Sequence, residues 1–156
     1  MGPPPRLFLD ASVLIAAAGS AGGGSALVLE VGRAKLAAPL LTRMILREAE
    51  RNVQGKLDRE ALLRFYRLIA ELEPELLPIP RAEELGTASQ VVEARDAHVL
   101  AGARAGAATH LITLDRRHFL QGNQRQAILP IVACTPGEFL QGFLASGAHP
   151  SGPTPS

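Results

Sequence analysis

The sequence predicts an α/β fold built on a parallel sheet, and three observations carry that prediction. Short apolar runs such as Leu7-Phe8-Leu9 and Leu111-Ile112-Thr113-Leu114 alternate with stretches of helical periodicity. Runs that are apolar at every position suit strands buried on both faces, as parallel strands are. The chain has 156 residues, 47% hydrophobic and 20% charged, which is enough to bury one domain's core.

The elements follow in order. Residues 1–5 are Pro-rich and read as a disordered cap, and 145–156 have nothing to bury and read as a disordered tail. The ordered domain is therefore expected over 6–144. Strand 7–9 ends at Asp10, and 12–18 then looks helical. A Gly-rich loop at 19–24 precedes a helix through about Lys35 that Ser25 is placed to cap. Residues 36–40 form a short strand candidate. Thr42 caps a helix to Gln54 that stops at Gly55, and Asp58 caps the next. In that helix Leu62, Phe65, Tyr66, Ile69 and Leu72 keep helical spacing. Strand 76–79, helices 82–92 and 97–105, strand 111–114 and strand 131–133 complete the alternation. Thr135-Pro136-Gly137-Glu138 supplies an N-cap, a proline at the first helical position and a capping-box glutamate.

Several classes of function are excluded at this level. No apolar run reaches the roughly 18 residues of a membrane span, and the N-terminus lacks the pattern of a signal peptide. Cys134, the single cysteine, makes neither an internal disulfide nor a zinc site by itself. The expectation is a soluble, cytoplasmic protein.

The aspartates carry the chemistry. Asp10, Asp58, Asp96 and Asp115 are the only ones. Asp10 and Asp115 each close an apolar strand, and ligands of open parallel sheets sit beyond the strands' carboxyl ends. Asp96 opens the helix before strand 111–114, and a right-handed crossover brings that end to the same edge. Glu48 shares the apolar side of its helix with Met44 and Ile45, whereas Glu50 looks solvated. A carboxylate facing the core needs a partner.

Plain alternatives exist for each acid: a turn acceptor for Asp10 and Asp115, a cap for Asp96, an ion pair with Arg47 or Arg51 for Glu48. The four together favour a site. Hard oxygen ligands without a nearby His or Cys suit Mg²⁺ or Mn²⁺, which orient water and stabilise charge in phosphoryl transfer.

The net charge is +1, and all the basic residues but Lys35 and Lys56 are arginine. Neutralising the four acids leaves the remaining surface clearly positive, which favours a phosphate-bearing substrate. Arg116 and Arg117, just past the presumed site, are the candidate substrate contacts. Arg43, Arg47 and Arg51 form a stripe on the Glu48 helix. His98 and His118 are read as helix-surface residues.

Three blocks resemble the signature of PIN-domain nucleases: Leu7-Phe8-Leu9-Asp10-Ala11-Ser12-Val13-Leu14-Ile15, Asp96-Ala97-His98-Val99-Leu100-Ala101 and Leu111-Ile112-Thr113-Leu114-Asp115. The closing Ile131-Val132-Ala133-Cys134-Thr135-Pro136-Gly137-Glu138-Phe139-Leu140 is similar to the end of many bacterial members. The resemblance implies a PIN-like (Rossmann-like) three-layer sandwich and a metal-dependent endoribonuclease. It also implies kinship with VapC-like toxins of toxin–antitoxin pairs, with an RNA substrate, an antitoxin partner and a homodimer. Asp10, Glu48, Asp96 and Asp115 match the family's acidic quartet, which is both catalytic and metal-binding. Ser12 and Thr113 match hydroxyls that support the first and last acids. Two departures stand out: Arg117 occupies a position where many relatives carry a further acid, and the first block reads Asp-Ala-Ser.

Two other readings compete. A PIN fold with a weakened site would serve as an RNA- or protein-binding module. Phosphotransfer through an aspartate fits poorly, because Ser12 stands where a phosphatase wants its second Asp and no lysine follows Lys56.

Overall fold

The computed structural model describes residues 2–147. Most of the presumed tail, 148–156, lies outside the described residues, as does Met1. Five strands, β1 (Arg6–Leu9), β2 (Ala38–Thr42), β3 (Glu75–Leu77), β4 (His110–Ile112) and β5 (Val132–Cys134), form one sheet in the order β3-β2-β1-β4-β5. Every neighbouring pair is parallel, with Phe8 opposite both Leu40 and Leu111. The expected α/β fold with a parallel sheet is present.

Eight α-helices connect and cover the strands among the described residues: α1 (Ala11–Gly19), α2 (Gly24–Arg33), α3 (Arg43–Lys56), α4 (Arg59–Leu72), α5 (Ala82–Ser89), α6 (Ala97–Ala105), α7 (Gly122–Ala127) and α8 (Pro136–Ala145). Leu7, Phe8 and Leu9 are all buried although successive strand residues point to opposite faces, so both faces of β1 are covered. α1 packs on α2, α3 and α4, while α6 packs on α5 and β2. A Cβ on Gly102 of α6 would lie 2.8 Å from the Phe8 ring and 3.0 Å from Thr42 Cγ2. The bare glycine is what lets α6 approach the sheet.

No single described helix is long and apolar enough to cross a membrane; α1 and α2, apolar enough when taken together, are bent by 104°.

The caps at Thr42, Asp58 and Thr135 are formed as the sequence predicts, each side chain accepting a backbone N–H of its helix's first turn. Other expectations need correction. Gly23, not Ser25, occupies the cap of α2, and Ser25 is buried inside the first turn. α3 runs through Gly55 to Lys56, since a glycine weakens a helix without ending it. The helix expected over 82–92 ends at Ser89, and a 3-10 turn, Ala94–Asp96, leads into α6. Tyr66 is exposed although it shares the spacing of the buried Phe65 and Leu72.

β1 lies at the centre of the sheet, with β2 on one side and β4 on the other. The chain moves outward from β1 in one direction through β2 and β3, then returns to its far side for β4 and β5. Loops leaving β1 and β4 therefore diverge at their carboxyl ends and open a crevice there.

Candidate metal centre

The crevice is built on hydroxyls. Asp10 follows β1 and caps α1, its Oδ1 accepting the Ala11 N–H at 2.9 Å. Its Oδ2 accepts the Thr113 hydroxyl at 2.7 Å and the Ser12 hydroxyl at 3.2 Å. Each hydroxyl has one proton and gives it to Asp10. The hydroxyl oxygens accept in turn: Thr113 from the Asp115 N–H at 3.0 Å, Ser12 from the Leu114 N–H at 3.1 Å. The loop after β4 is thus fastened to the loop after β1, and Asp115 is set beside Asp10.

Glu48 reaches the same cleft from α3. Ile45, Ala49 and Val53 of this helix are buried, and Glu48 sits half-buried at their margin. Met44, expected on the same apolar side, is exposed instead. Glu50 turns to α4, where its carboxylate raises the pKa of the exposed Tyr66 hydroxyl. Of the two glutamates, Glu48 faces the cleft.

Asp96 stands at the end of the 3-10 turn and makes no side-chain cap to α6. Its Oδ2 lies 2.6 Å from His118 Nδ1, and both side chains are 14% exposed. Asp115 accepts the Arg117 N–H on Oδ1 at 3.1 Å, and its Oδ2 lies 3.5 Å from His118 Nε2. Asp10, Glu48, Asp96 and Asp115 all line one cleft of about 350 Å³.

The expectation of an acidic site without histidine is overturned. His98 and His118 both line this cleft and neither is a free helix-surface residue. His98 Nδ1 is buried without a hydrogen-bond partner. Glu93, Asp96 and His118 bring one ligand atom each within 4.8 Å of one another. Arg116 and Arg117 are exposed on the loop after β4 and do not line the cleft; Arg117 meets it through its backbone N–H. The arginine that does line it is Arg95, whose Nη2 is 3.2 Å from His118 Nε2 and whose Nε is 3.3 Å from Glu93 Oε2. Two sequence signals point to these residues: His118 is three positions after Asp115, and Arg95 immediately precedes Asp96.

Burial raises the pKa of Asp10 against the lowering effect of its three donors, and the nearby charge of Asp115 adds to the rise. Glu48 is also raised, first by burial and then by Asp10 and Asp96, with His98 and Arg51 pulling it down. Among the described residues, no lysine or arginine forms an ion pair with Asp10, Glu48 or Asp115. Carboxylates gathered in a half-buried cleft without a cation of their own fit a divalent ion, which supplies the missing charge. The donor set, four carboxylates with an imidazole beside them, can hold a metal.

No family model and no curated protein sequence matches the chain. Solved structures do. The crystal structure of PAE2754 from Pyrobaculum aerophilum superposes with a TM-score of 0.63 at 17% identity, covering 90% of this chain and 96% of the other. A chain of VapBC2 from Rickettsia felis, bound to a DNA fragment from their promoter, superposes with a TM-score of 0.62 at 14% identity. That match covers 83% of this chain and 98% of the other. The fold is the PIN-like sandwich. What the chain shares with these two proteins is that architecture.

Proposed function

We propose that the chain is a divalent-metal-dependent endoribonuclease and the toxin of a toxin–antitoxin pair. One observation carries the proposal: Asp10, Glu48, Asp96 and Asp115 come from four separate segments and line one cleft at the topological switch point. The raised Asp10 and Glu48 support it, since a chain that gathers unpaired acids there has left room for a cation.

Asp10, Asp96 and Asp115, with Glu48 across the cleft, would hold Mg²⁺ or Mn²⁺. When bound, such an ion provides an activated water and neutralises the charge that develops on a phosphodiester. The chain's own residues do the rest. Ser12 and Thr113 fix the Asp10 carboxylate through two hydrogen bonds, so it does not reorganise when a ligand arrives. Glu48, raised by burial and by the charge of Asp10, is a carboxylate that an incoming positive charge would stabilise. Arg95 at the cleft wall is placed to meet a phosphate, and Arg116 and Arg117 on the exposed loop extend that positive rim.

RNA as the substrate rests on the resemblance of the signature blocks, as does the homodimer. An antitoxin partner is supported by the fold shared with a VapBC2 chain. A second reading, a weakly active RNA- or protein-binding module, is favoured by one contact: the Asp96 carboxylate is already engaged by His118.

The test is cleavage of single-stranded and structured RNA by the purified chain. Cleavage is expected with Mg²⁺ or Mn²⁺ and is expected to stop in EDTA. Cleavage that continues undiminished in EDTA, from a preparation free of other nucleases, would refute the metal-dependent reading.

A further inference from the structure

We infer that His118 is a nitrogen ligand of this metal centre, presenting Nε2 beside the Asp115 carboxylate while Asp96 orients the ring. The inference rests on the divalent-metal reading above and changes it in two respects: an imidazole joins a donor set otherwise made of oxygen, and Asp96, whose Oδ2 takes the Nδ1–H, acts on the ion through the ring instead of binding it directly.

The tautomer follows from the neighbours. Arg95 Nη2 lies 3.2 Å from His118 Nε2. A guanidinium has only donors and does not lose its proton, so this contact is a hydrogen bond when Nε2 carries a lone pair. The ring proton of the neutral imidazole is then on Nδ1, where Asp96 Oδ2 accepts it at 2.6 Å. A histidine that donates from one nitrogen to a carboxylate and keeps the other free is in the state that metal-binding histidines adopt.

Position agrees with protonation. Nε2 stands 3.5 Å from Asp115 Oδ2. Two donor atoms at about 2.1 Å from one ion stand roughly 3.0–3.4 Å apart for octahedral to tetrahedral angles. Both atoms carry lone pairs and neither donates to the other, so a cation between them satisfies both. The ring is held in place by Asp96, by its own 14% exposure and by the buried Phe119 next to it. Arg95, which covers Nε2, is 71% exposed and is held on its far side by Glu93, itself 70% exposed. It can swing into solvent at little cost.

Imidazole favours later first-row ions over Mg²⁺, so the site is expected to prefer Mn²⁺ and Co²⁺ to Mg²⁺. The experiment uses the full chain, Mn²⁺ as probe, and electron spin-echo modulation of the bound ion. One preparation is grown with ¹⁴N-histidine and the other with ¹⁵N-histidine. Wild type is expected to show an imidazole nitrogen coupling that changes with the label, and His98→Gln should keep it. His118→Gln, confirmed folded by circular dichroism, should lose it. That variant should also bind Mn²⁺ about tenfold or more weakly, while Mg²⁺ binding changes less. Bound Mn²⁺ without an imidazole coupling in wild type, or a coupling that survives His118→Gln, overturns the role of His118 and leaves metal-dependent cleavage standing. A chain that binds no Mn²⁺ overturns both. The wild-type label comparison needs no variant, so a misfolded His118→Gln does not remove the test.

Discussion

At the start of α8, Glu138 accepts the Thr135 N–H at 2.9 Å and two hydrogen bonds from the Arg125 guanidinium at 3.1 and 3.2 Å. Arg125 and the backbone donor hold its pKa down to about 2. At the switch point of the sheet, Asp10 and Glu48 are held above their usual range by burial and by neighbouring acids. The same functional group is treated in opposite ways within one small domain. Around Glu138 the chain supplies every partner of the anion, and the acid strengthens the fold. In the cleft the chain withholds the cation, and the acids cost stability until something from outside arrives. Completed electrostatics mark a structural device; incomplete electrostatics mark a place for a ligand.

The largest effect that separates the two regions is on cleavage. Asp115→Asn is expected to lower metal-dependent RNA cleavage on the order of 100-fold or more. Glu138→Gln should leave cleavage within about twofold of wild type, a tolerance well under the tenfold that corresponds to 1.36 kcal/mol of barrier. Initial rates on one RNA in Mn²⁺ compare them directly. Equal losses in both variants would erase the distinction.

Metal binding gives the next contrast. A ligand at about 100 times its Kd adds roughly 2.7 kcal/mol, several degrees in melting temperature for a domain of this size. Wild type and Glu138→Gln should both show that rise with Mn²⁺, and Asp115→Asn should lose most of it. In EDTA, Asp115→Asn should melt at or above wild type, because it removes a repulsive charge and keeps the Arg117 hydrogen bond. An unchanged metal response in that variant would take Asp115 out of the site.

Gly102→Ala tests how the site depends on the scaffold. The new methyl meets Phe8 at 2.8 Å, and overpacking of this kind costs about 1–3 kcal/mol. α6 begins next to Asp96, so the Mn²⁺ affinity measured by calorimetry should fall along with the melting temperature. A variant that melts early yet binds Mn²⁺ as wild type does would show the cleft to be insulated from this packing.

The smallest effect is the response to pH. The stability contributed by Glu138, whose pKa is depressed, is present above the ordinary value of 4.5 and lost as pH falls toward about 2. It is worth about 1 kcal/mol because the pair is partly exposed. Asp10, whose pKa is raised, has the opposite sign: its contribution is full below the ordinary 3.8 and lost as pH rises through the folded value. Melts in EDTA between pH 2 and 7 should therefore shrink the gap between wild type and Glu138→Gln on acidification. The gap between wild type and Asp10→Asn should move in wild type's favour over the same change. Parallel shifts would break the comparison.

Much of the fold was legible because local chemistry and tertiary structure agree. Leu7-Phe8-Leu9 is apolar on both faces because both faces are covered, and Thr42, Asp58 and Thr135 cap because a short polar side chain before a periodic run has little else to do. α7 leaves no signal in the sequence because Gly122–Ala127, six mostly polar residues, has no apolar period. In the cleft, the positions of Asp10, Asp96 and Asp115 follow from where strands end and helices begin, and that of Glu48 from the buried side of α3. His118 does not. Its contact with Asp96 spans 22 residues and depends on how the loop after β4 folds back, which no local pattern encodes. Arg116 and Arg117 are next to Asp115 in sequence, but on the exposed turn neither lines the cleft.

The hydroxyl clasp between Ser12 and Thr113 has a consequence in time. Its two halves are 101 residues apart, and at translation rates of about 5–20 residues per second some 5–20 s separate their synthesis. Until β4 emerges and pairs with β1, Asp10 lacks its strongest donor and Asp115 does not yet exist. No nascent chain shorter than that owns a complete cleft. A ribosome surrounded by its own RNA can thus build most of this protein before the protein is able to bind the ion on which its proposed chemistry depends.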